Sequence, residues 1–411
     1  QSSVFLSFIV LLHQNRDMFA DRYLQKNKKD PLISKLPADN TGIIVVIPCF
    51  REPEILKTLD SLRNCRLSRK HIEVLVIINH AENASEEIKK YNQKTKAETE
   101  NWISKNQNQG MGFYAIGPVE LQKKWAGAGL ARKTGMDEAV RRFNLLEKPR
   151  GIIVSLDADT VVEPNYLVEI ENHFRENQKH VGTTISVRHQ TDGLSTKHRE
   201  GVELYEKYQY YYKESMRFTC YPHAMFTVGS AFAVTAEAYV KRGGMNRRQA
   251  GEDFYFLQGL AQLGAIGEIA TTTVHPSARL SDRVPFGTGP ILQKWMKGEE
   301  DLTKTYNLNA FADVKAFFER KENFYLISKE QYFELIAELP ASVKAFLLRD
   351  NFWKELEDLN KNCSTPETFA SRFFQKFNAF KILKFLNFAH EKFYEKEDLK
   401  EQLKLLKNIH G

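Results

Sequence analysis

The stretch Ile152-Ile153-Val154-Ser155-Leu156-Asp157-Ala158-Asp159-Thr160 decides the fold of this 411-residue chain. Residues 152–156 are nearly unbroken in hydrophobicity, which is typical of a strand covered on both faces. Similar short apolar runs lie at 43–47, 74–78 and 181–187, and amphipathic stretches such as 54–64 and 132–143 lie between successive runs. Strands that alternate with helices predict right-handed crossovers and a mainly parallel sheet. The predicted fold class is α/β.

The distribution of apolar runs, helical periodicity and helix-breaking residues along the sequence predicts three regions. Residues 1–40 form an N-terminal helical arm that ends in breaker-rich segments, residues 41–290 hold the α/β domain, and residues 291–411 form a helical C-terminal domain. Apolar residues of the last region recur at helical spacing, namely Phe369, Phe373, Phe377 and Phe380, and later Leu399, Leu403 and Leu406. We expect the phenylalanine stripe to be a buried core rather than a partner surface.

Composition excludes several classes of protein. Hydrophobic residues make up 42% and charged residues 27%, which excludes a mainly disordered or collagen-like chain. The net charge of +7 is too mild for a dedicated nucleic-acid binder, although it is compatible with a phosphate ligand or an anionic membrane surface. The four cysteines have no paired spacing, so we expect no disulfide framework, no cysteine zinc site and a cytoplasmic location. The apolar run at 4–12 is too short to span a membrane, and we expect a docked helix there.

Two carboxylates follow the strand at 152–156, where an open parallel sheet binds its ligands. Alternation along an extended chain places Asp157 and Asp159 on the same side. Like charges so close raise each other's pKa unless a cation neutralises them. A hard divalent ion, Mn²⁺ or Mg²⁺, does so and can also hold a diphosphate. The alternative is a strand-end turn in which both side chains cap nearby amides.

Further motifs follow in a fixed order along the chain. They are Pro48-Cys49-Phe50-Arg51-Glu52, the glycine-flanked segment 127–135 around Arg132, Val228-Gly229-Ser230, Gly251-Glu252-Asp253 and the segment 275–289. With the Asp-x-Asp pair, this set resembles the GT-A-fold nucleotide-sugar glycosyltransferases, especially those of the family-2 type, over residues 41–290. The resemblance implies a Rossmann-like, mainly parallel sheet with flanking helices.

The resemblance also implies roles for individual residues. It places at the nucleotide sugar Pro48, Glu52, Asn79, Arg132, Asp157, Ser230, Arg279 and Arg283. It makes Asp159 the direct metal ligand, with Asp157 on the ribose side and His275 as the third ligand of the ion. Asp253 becomes the catalytic base, with Glu252 in reserve. Two departures from the family pattern are Lys133, where asparagine is usual, and the segment Asn79-His80-Ala81-Glu82-Asn83, where paired aspartates are usual.

Two segments leave alternatives open. Arg279 and Arg283 lie in a loop flanked by Gly287 and Gly289, which is suited to closing over phosphates, although a solvated basic loop has the same composition. Asp253 is suited to act as a base, although an acidic residue at a helix start is also a routine cap. Tyrosines can stack on sugar rings. Because Tyr210, Tyr211 and Tyr212 are consecutive and cannot share one helix face, we expect packing residues among them rather than an acceptor platform.

The predicted function is a metal-dependent glycosyltransferase of carbohydrate biosynthesis, which inverts the sugar if family-2 behaviour holds. A UDP-sugar is favoured over a GDP-sugar as donor, and the acceptor is a carbohydrate or a lipid-linked molecule. Nucleic acid is not an expected partner, whereas peripheral contact with the inner face of the membrane is open. The alternatives are a catalytically silent carbohydrate-binding or scaffolding protein and a sugar-phosphate nucleotidyltransferase. The segment PCFREPE at 48–54 lacks the glycines of a nucleotidyltransferase phosphate loop.

Overall fold

The structure is a computed structural model that describes residues 18–27, 30–107, 110–248, 251–281 and 287–410. The apolar run at 4–12 and Arg283 lie outside these residues, so the docked helix and the role of Arg283 stay predictions. In the described ranges, no helix combines the length and the apolar character needed to cross a bilayer.

The chain forms two compact units. The first comprises the described residues within 1–188 and 227–277, and the second comprises those within 189–226 and 278–411. The C-terminal helices thus group with the segment 189–226, which lies well before them in the sequence. The division into 1–40, 41–290 and 291–411 stays a prediction.

Strands and helices alternate through the first half of the chain. The strands are β1 (Thr41–Cys49), β2 (His71–Ala81), β3 (Met111–Leu121), β4 (Ile152–Ser155), β5 (Thr160–Val162), β6 (Gly182–Val187), β7 (Phe232–Thr235), β8 (Ile266–Pro276), β9 (Lys304–Thr305) and β10 (Glu397–Asp398). The helices up to the end of β8 are α1 (Asp21–Lys26), α2 (Ile55–Arg63), α3 (Glu86–Lys105), α4 (Ala128–Leu145), α5 (Tyr166–Glu176), α6 (Thr196–Phe218), α7 (Ala236–Arg242) and α8 (Glu252–Leu260). The remaining helices are α9 (Thr288–Lys297), α10 (Leu308–Glu319), α11 (Lys329–Ala337), α12 (Ala341–Arg349), α13 (Phe352–Lys361), α14 (Pro366–Lys376), α15 (Ala379–Lys392) and α16 (Leu399–His410).

The first unit is built on a sheet whose described strands lie in the order β3-β2-β1-β4-β7-β6-β8-β5. Strands β3, β2, β1 and β4 are parallel neighbours, and so are β6 and β8. Strand β7 runs antiparallel to both β4 and β6, and β5 runs antiparallel to β8. The predicted α/β class with a mainly parallel sheet is confirmed, and the antiparallel pairs lie in the half of the sheet beyond β4.

Helix α4 covers the central strands at very short range. Residues 43–47 of β1 are fully buried, as expected for a strand covered on both faces. At Gly135 of α4, a Cβ atom would come within 2.4 Å of Cγ1 of Val46 and 2.8 Å of Cγ1 of Ile77. Only a residue without a side chain allows the helix to lie this close to β1 and β2.

A buried polar cluster ties α1 to α4. The Tyr23 hydroxyl donates to Oδ1 of Asp137 at 2.6 Å, and the Lys133 ammonium donates to both the Tyr23 oxygen (2.7 Å) and Asp137 (3.1 Å). The Tyr239 hydroxyl of α7 donates to the same carboxylate oxygen at 2.9 Å. Lys133, where the family pattern has asparagine, thus takes part in a buried cluster that links α1, α4 and α7.

The core of the second unit is aromatic. Phe369 and Phe373 of α14 are completely buried, as is nearly all of Phe377, and Phe317 of α10 packs against Phe373 and Phe377 at centroid distances of 5.5 and 5.0 Å. Phe380 is 39% exposed, because α14 ends at Lys376 and a new helix begins at Ala379. The buried-core prediction is therefore confirmed for Phe369, Phe373 and Phe377 and wrong for Phe380.

Candidate active site

Strand β4 delivers the first carboxylate to the site. The strand ends at Ser155, and the chain turns through residues 157–160, where the Thr160 amide donates to the Asp157 carbonyl at 3.2 Å. The Asp157 side chain is 37% exposed, so one part of it faces solvent and another part faces the protein. The carboxylate therefore lies at the carboxyl end of a central strand, where the sheet predicts a ligand.

Arg132 joins this carboxylate to the acidic pair of α8. It lies in the first turns of α4 and is 1% exposed. Its Nη2 donates to Oδ1 of Asp157 at 2.5 Å, and its Nη1 donates to Oε1 of Glu252. Burial alone would lower the pKa of the guanidinium, but the charges of Asp157, Glu252 and Asp253 raise it above its ordinary value. Arg132 is thus a permanent buried cation that bridges two carboxylates.

Arg132 packs so closely against Gly229 that position 229 has no room for a side chain. A Cβ atom at position 229 would come within 2.6 Å of Nη2 of Arg132. The loop is held by Ser155, whose hydroxyl donates to the Gly229 carbonyl at 2.6 Å. Among the described residues, neither the buried hydroxyl of Ser230 nor Nε of Arg132 has a hydrogen-bond partner. Buried polar groups are normally satisfied, so these two mark a place that a ligand or water would complete.

Asp253 has the electrostatic character of a base that works near neutral pH. Helix α8 starts at Glu252 directly after Gly251, whose φ of 68° belongs to the left-handed region that glycine tolerates. Burial, the charge of Glu252 and the charge of Asp157 raise the pKa of Asp253 to about 7, against the opposing effects of Arg132 and of the Phe254 amide. That amide donates to Oδ1 of Asp253 at 2.7 Å. A carboxylate with this pKa is suited to proton abstraction at physiological pH.

The two carboxylates of α8 therefore differ in environment. Glu252 is 5% exposed and is held by Arg132, whereas no hydrogen bond between Arg132 and Asp253 is formed in the described part of the chain. Arg132 acts on Asp253 through charge alone. The site thus separates a fixed carboxylate from one whose proton can be exchanged near pH 7.

Asp159 lies in the turn directly before β5, and His275 lies in β8, the strand that pairs with β5. The Ser277 amide donates to the Asp159 carbonyl at 3.1 Å, and Val161 is opposite His275 in the antiparallel pair of β5 and β8. This backbone bond holds the turn against the end of β8, the strand that carries His275. The joint binding of an ion by Asp157, Asp159 and His275 stays a prediction.

His275 has close neighbours of its own. Its Nδ1 hydrogen-bonds the Arg188 carbonyl at 3.0 Å, and its Nε2 lies 3.6 Å from Oε1 of Glu163. Sequence reasoning missed Glu163. The turn through residues 157–160 interrupts the extended chain, so the predicted alternation of Asp157 and Asp159 is not present and could not have indicated Glu163.

Some side chains of the site are of the kind that binds a hard cation such as Mg²⁺. Within the ranges that the structure describes, no group of three or more His, Cys, Asp or Glu side chains is arranged to hold a metal ion. Mg²⁺ and similar ions are often held by one or two carboxylates together with substrate phosphates and water. Asp157 and Asp159 provide oxygen ligands of this kind at the strand end, so these residues fit an ion that arrives with a diphosphate.

The residues predicted for the nucleoside meet at the ends of β1 and β2. Pro48 lies in β1 opposite Ile77 of β2. The buried Asn79 donates from Nδ2 to the Cys49 carbonyl at 3.0 Å and to the Ile77 carbonyl at 3.1 Å, which links the two strands. Glu52 is 4% exposed and accepts the Glu54 amide at 3.0 Å. Their contact with a nucleotide stays a prediction.

Arg279 follows β8 and is half-buried within the second unit. Its predicted partner in the loop, Arg283, lies outside the described residues. The roles assigned to both arginines stay predictions.

Comparison with known proteins supports the resemblance. Residues 152–328, somewhat less than half of the chain, match the family model described as glycosyl transferase family group 2. The matched segment contains Asp157, Asp159, Ser230, Asp253 and His275. No curated protein matches the sequence.

Two solved structures are similar at low sequence identity. The first, Staphylococcus aureus TarS 1–349 in complex with UDP-GlcNAc, is 12% identical with a TM-score of 0.43 and covers 82% of this chain and 92% of its own. The second is the mannosyltransferase PcManGT from Pyrobaculum calidifontis in complex with GDP-Man and Mn²⁺. It is 12% identical with a TM-score of 0.37 and covers 87% of this chain and 92% of its own.

Proposed function

We propose that this chain, a GT-A-fold glycosyltransferase of the family-2 type, transfers a sugar from a nucleotide diphosphate to an acceptor hydroxyl in a single inverting displacement. The observation that carries the proposal is the cluster of Asp157, Arg132, Glu252 and Asp253, in which one carboxylate has a pKa of about 7. A fold alone would not assign an activity, so the proposal rests on these side chains.

Asp253 is the proposed catalytic base. As the acceptor oxygen attacks the anomeric carbon, the bond from that carbon to the diphosphate breaks and the hydroxyl proton passes to the Asp253 carboxylate. Attack from the face opposite the leaving group inverts the anomeric centre. With a pKa of about 7, Asp253 is partly ionised at neutral pH and still basic enough to accept the proton.

Arg132 and Glu252 are the proposed positioning residues. Because the guanidinium donates to Glu252 and Asp157 at once, it fixes the start of α8 relative to the end of β4. Glu252 has its carboxylate engaged in this way, which favours Asp253 over Glu252 as the base. The structure gives Arg132 a buried bridging position rather than an exposed one, so we propose that its charge reaches the nucleotide through Asp157.

The proposed cofactor is a divalent cation, Mn²⁺ or Mg²⁺, which Asp159 and Asp157 would hold, with His275 as the proposed third ligand. When bound, such an ion neutralises the negative charge that develops on the leaving diphosphate. Ser230, with an unsatisfied buried hydroxyl, is the proposed contact for the donor sugar.

A UDP-sugar is the favoured donor and a GDP-sugar the second candidate, with a carbohydrate or lipid-linked molecule as acceptor. Cys49, Cys65, Cys220 and Cys363 all carry free thiols, which supports the proposed cytoplasmic location. Nucleic acid is not part of the proposal.

Calorimetry with UDP and GDP, each with and without Mn²⁺, tests donor binding, and transfer assays with UDP- and GDP-sugars test turnover. We expect metal-dependent binding and an inverted product, seen as the opposite anomer by NMR. Asp253→Asn should spare nucleotide binding and remove transfer, whereas Asp192→Asn, a change at an exposed aspartate, should leave both unchanged. Binding without any turnover in the unaltered protein would favour a silent carbohydrate-binding protein, and full transfer by Asp253→Asn would refute the assignment of the base.

A further inference from the structure

Three tyrosines of α6 and one from the segment after β9 form a continuous row of rings. The ring centroids of Tyr205 and Tyr208 are 6.5 Å apart with an interplanar angle of 24°, and those of Tyr208 and Tyr212 are 6.2 Å apart at 39°. Tyr306 extends the row, 6.4 Å from Tyr212 at 52°. Residues spaced three and four apart share one face of a helix, which explains the alignment. We call these four residues the tyrosine row.

The remaining tyrosines of α6 do not belong to the row. Tyr211 is completely buried and donates to the Tyr306 carbonyl at 2.7 Å, whereas Tyr210 is 46% exposed. Packing residues among the consecutive tyrosines, as the sequence predicts, are thus present in Tyr211. The α6 part of the row consists of Tyr205, Tyr208 and Tyr212, which the sequence alone does not distinguish from Tyr210 and Tyr211.

Three polar groups along the row have no partner among the residues that the structure describes. They are the hydroxyls of Tyr208 and Tyr212 and the carboxylate of Glu300, and all three side chains are half-buried. The hydroxyl of Tyr306, by contrast, donates to Oδ1 of Asn387 at 2.7 Å. Half-exposed groups without protein partners can accept hydrogen bonds from a ligand without breaking existing ones.

The surroundings of these groups are dense. Burial raises the pKa of both Tyr208 and Tyr212, and the negative charge of Glu300 further raises that of Tyr208 and Tyr306. The charge of Glu300 acts on Tyr208 and Tyr306, so its carboxylate lies near the row.

We propose that the tyrosine row and Glu300 form a binding site for a saccharide chain. A row of aromatic faces offers stacking surfaces to successive sugar rings, while unpaired hydroxyls and a carboxylate bond the sugar hydroxyls. The identification of this saccharide as the acceptor rests on the proposed transferase function, whereas its binding does not.

An organic cation is the other class of ligand that aromatic rings and a carboxylate attract. Such ligands favour rings arranged around one point, whereas these rings follow one another along a helix. The Lys396 ammonium already lies 6.0 Å from the centroid of Tyr306. The geometry therefore favours a neutral, extended saccharide.

Binding is measured by calorimetry and saturation-transfer NMR on the full chain, without nucleotide or metal, using maltotetraose, a linear mannotetraose and tetra-N-acetylchitotetraose as probes. We expect at least one probe to bind, with Tyr208→Ala and Tyr212→Ala each weakening it about tenfold and Glu300→Gln about threefold. Tyr212→Phe, which keeps the ring, should retain most of the affinity. Tyr210→Ala is the matched control, since Tyr210 lies on the same helix outside the row, and it should bind as the unaltered protein does.

Several results would overturn the proposal. They are failure of all three probes to bind at millimolar concentration, an equal loss in Tyr210→Ala, and binding of choline in place of every saccharide. NMR of the unaltered protein shows whether the probe contacts tyrosine rings, so a variant that fails to fold does not decide the question. Saccharide binding in a protein that transfers no sugar would contradict the transferase function alone, and transfer without binding at the row would contradict this site alone.

Discussion

Replacing Glu252 by glutamine should shift the pH dependence of transfer to lower pH. The pKa of Asp253 is about 7, and the charge of Glu252 is the largest cause of this after burial. In the unaltered enzyme, kcat/KM should therefore fall about tenfold per pH unit below pH 7 and reach a plateau above about pH 8. Glutamine is isosteric, and its side-chain oxygen can still accept the hydrogen bond from Arg132.

The size of the shift follows from the separation of adjacent side chains. At roughly 7 Å and an effective dielectric constant of about 20, two unit charges repel by about 2 kcal/mol, which corresponds to between one and two pKa units. The acidic limb of Glu252→Gln should then lie at about pH 5 to 6. At pH 6 its activity, relative to its own plateau, should be roughly five- to tenfold higher than that of the unaltered enzyme. The plateau itself should be lower, because a weaker base abstracts the proton less readily.

The assay is the initial rate of sugar transfer between pH 4.5 and 9 at limiting acceptor concentration. Glu237→Gln is the matched control, since Glu237 is a carboxylate of α7 that pairs with Lys241 at 3.0 Å, and its acidic limb should not move. An unchanged or raised limb in Glu252→Gln would refute the view that repulsion from Glu252 sets the protonation of Asp253.

Three further changes test other parts of the structure. Arg132→Met should destabilise the fold by about 3 to 5 kcal/mol in denaturant titrations, because it leaves two carboxylates without their buried counter-charge; unchanged stability would show that the bridge is energetically neutral. Asp159→Ala should abolish the Mn²⁺ dependence of nucleotide binding in calorimetry, and a retained dependence would place the ion elsewhere. Phe373→Ala should cost about 3 to 5 kcal/mol of stability, whereas Phe380→Ala, at a 39% exposed site, should cost far less; equal losses would contradict the assigned core.

The strands that the sequence predicts are those with unbroken apolar runs. Strands β1, β2, β4 and β6 correspond to the runs at 43–47, 74–78, 152–156 and 181–187. Strand β3 lacks such a run, because Gly112, Gly117 and Pro118 interrupt it, and β8 is rich in threonine with several exposed positions. Hydrophobicity marks strands buried on both faces, so strands covered less completely give a weaker signal.

The phenylalanine stripe illustrates the limit of periodicity. Spacing of four, four and three residues is consistent with one helix face, yet Asn378 caps a new helix by accepting the amides of Phe380 and Lys381 at 3.1 Å each. The stripe therefore crosses a helix boundary, and Phe380 leaves the core. Asparagine before an apolar run was the available signal.

The members of the candidate site could be found from the sequence, but their pairing could not. Arg132 and Asp157 are 25 positions apart in the chain, and Arg132 and Glu252 are 120 positions apart. Motif order predicts that all three belong to one site and places Arg132 at the nucleotide, and the nucleotide contact stays a prediction. Only the packing of α4 and α8 at the end of β4 makes the guanidinium a bridge.

Glu252 and Asp253 are adjacent in the chain but differ in their chemistry, because Arg132 interacts with them in different ways. Arg132 bonds Glu252 directly and influences Asp253 only through its charge. Burial and two negative neighbours raise the pKa of Asp253, while Arg132 and the Phe254 amide lower it, and the balance falls near neutrality. Were the guanidinium bonded to Asp253 as well, charge pairing would favour the ionised form and give a weak base. The bond to Glu252 therefore holds Arg132 close enough for its charge to favour ionisation of Asp253 near pH 7. Because Arg132 does not bond Asp253 directly, the Asp253 carboxylate remains basic enough to accept a proton.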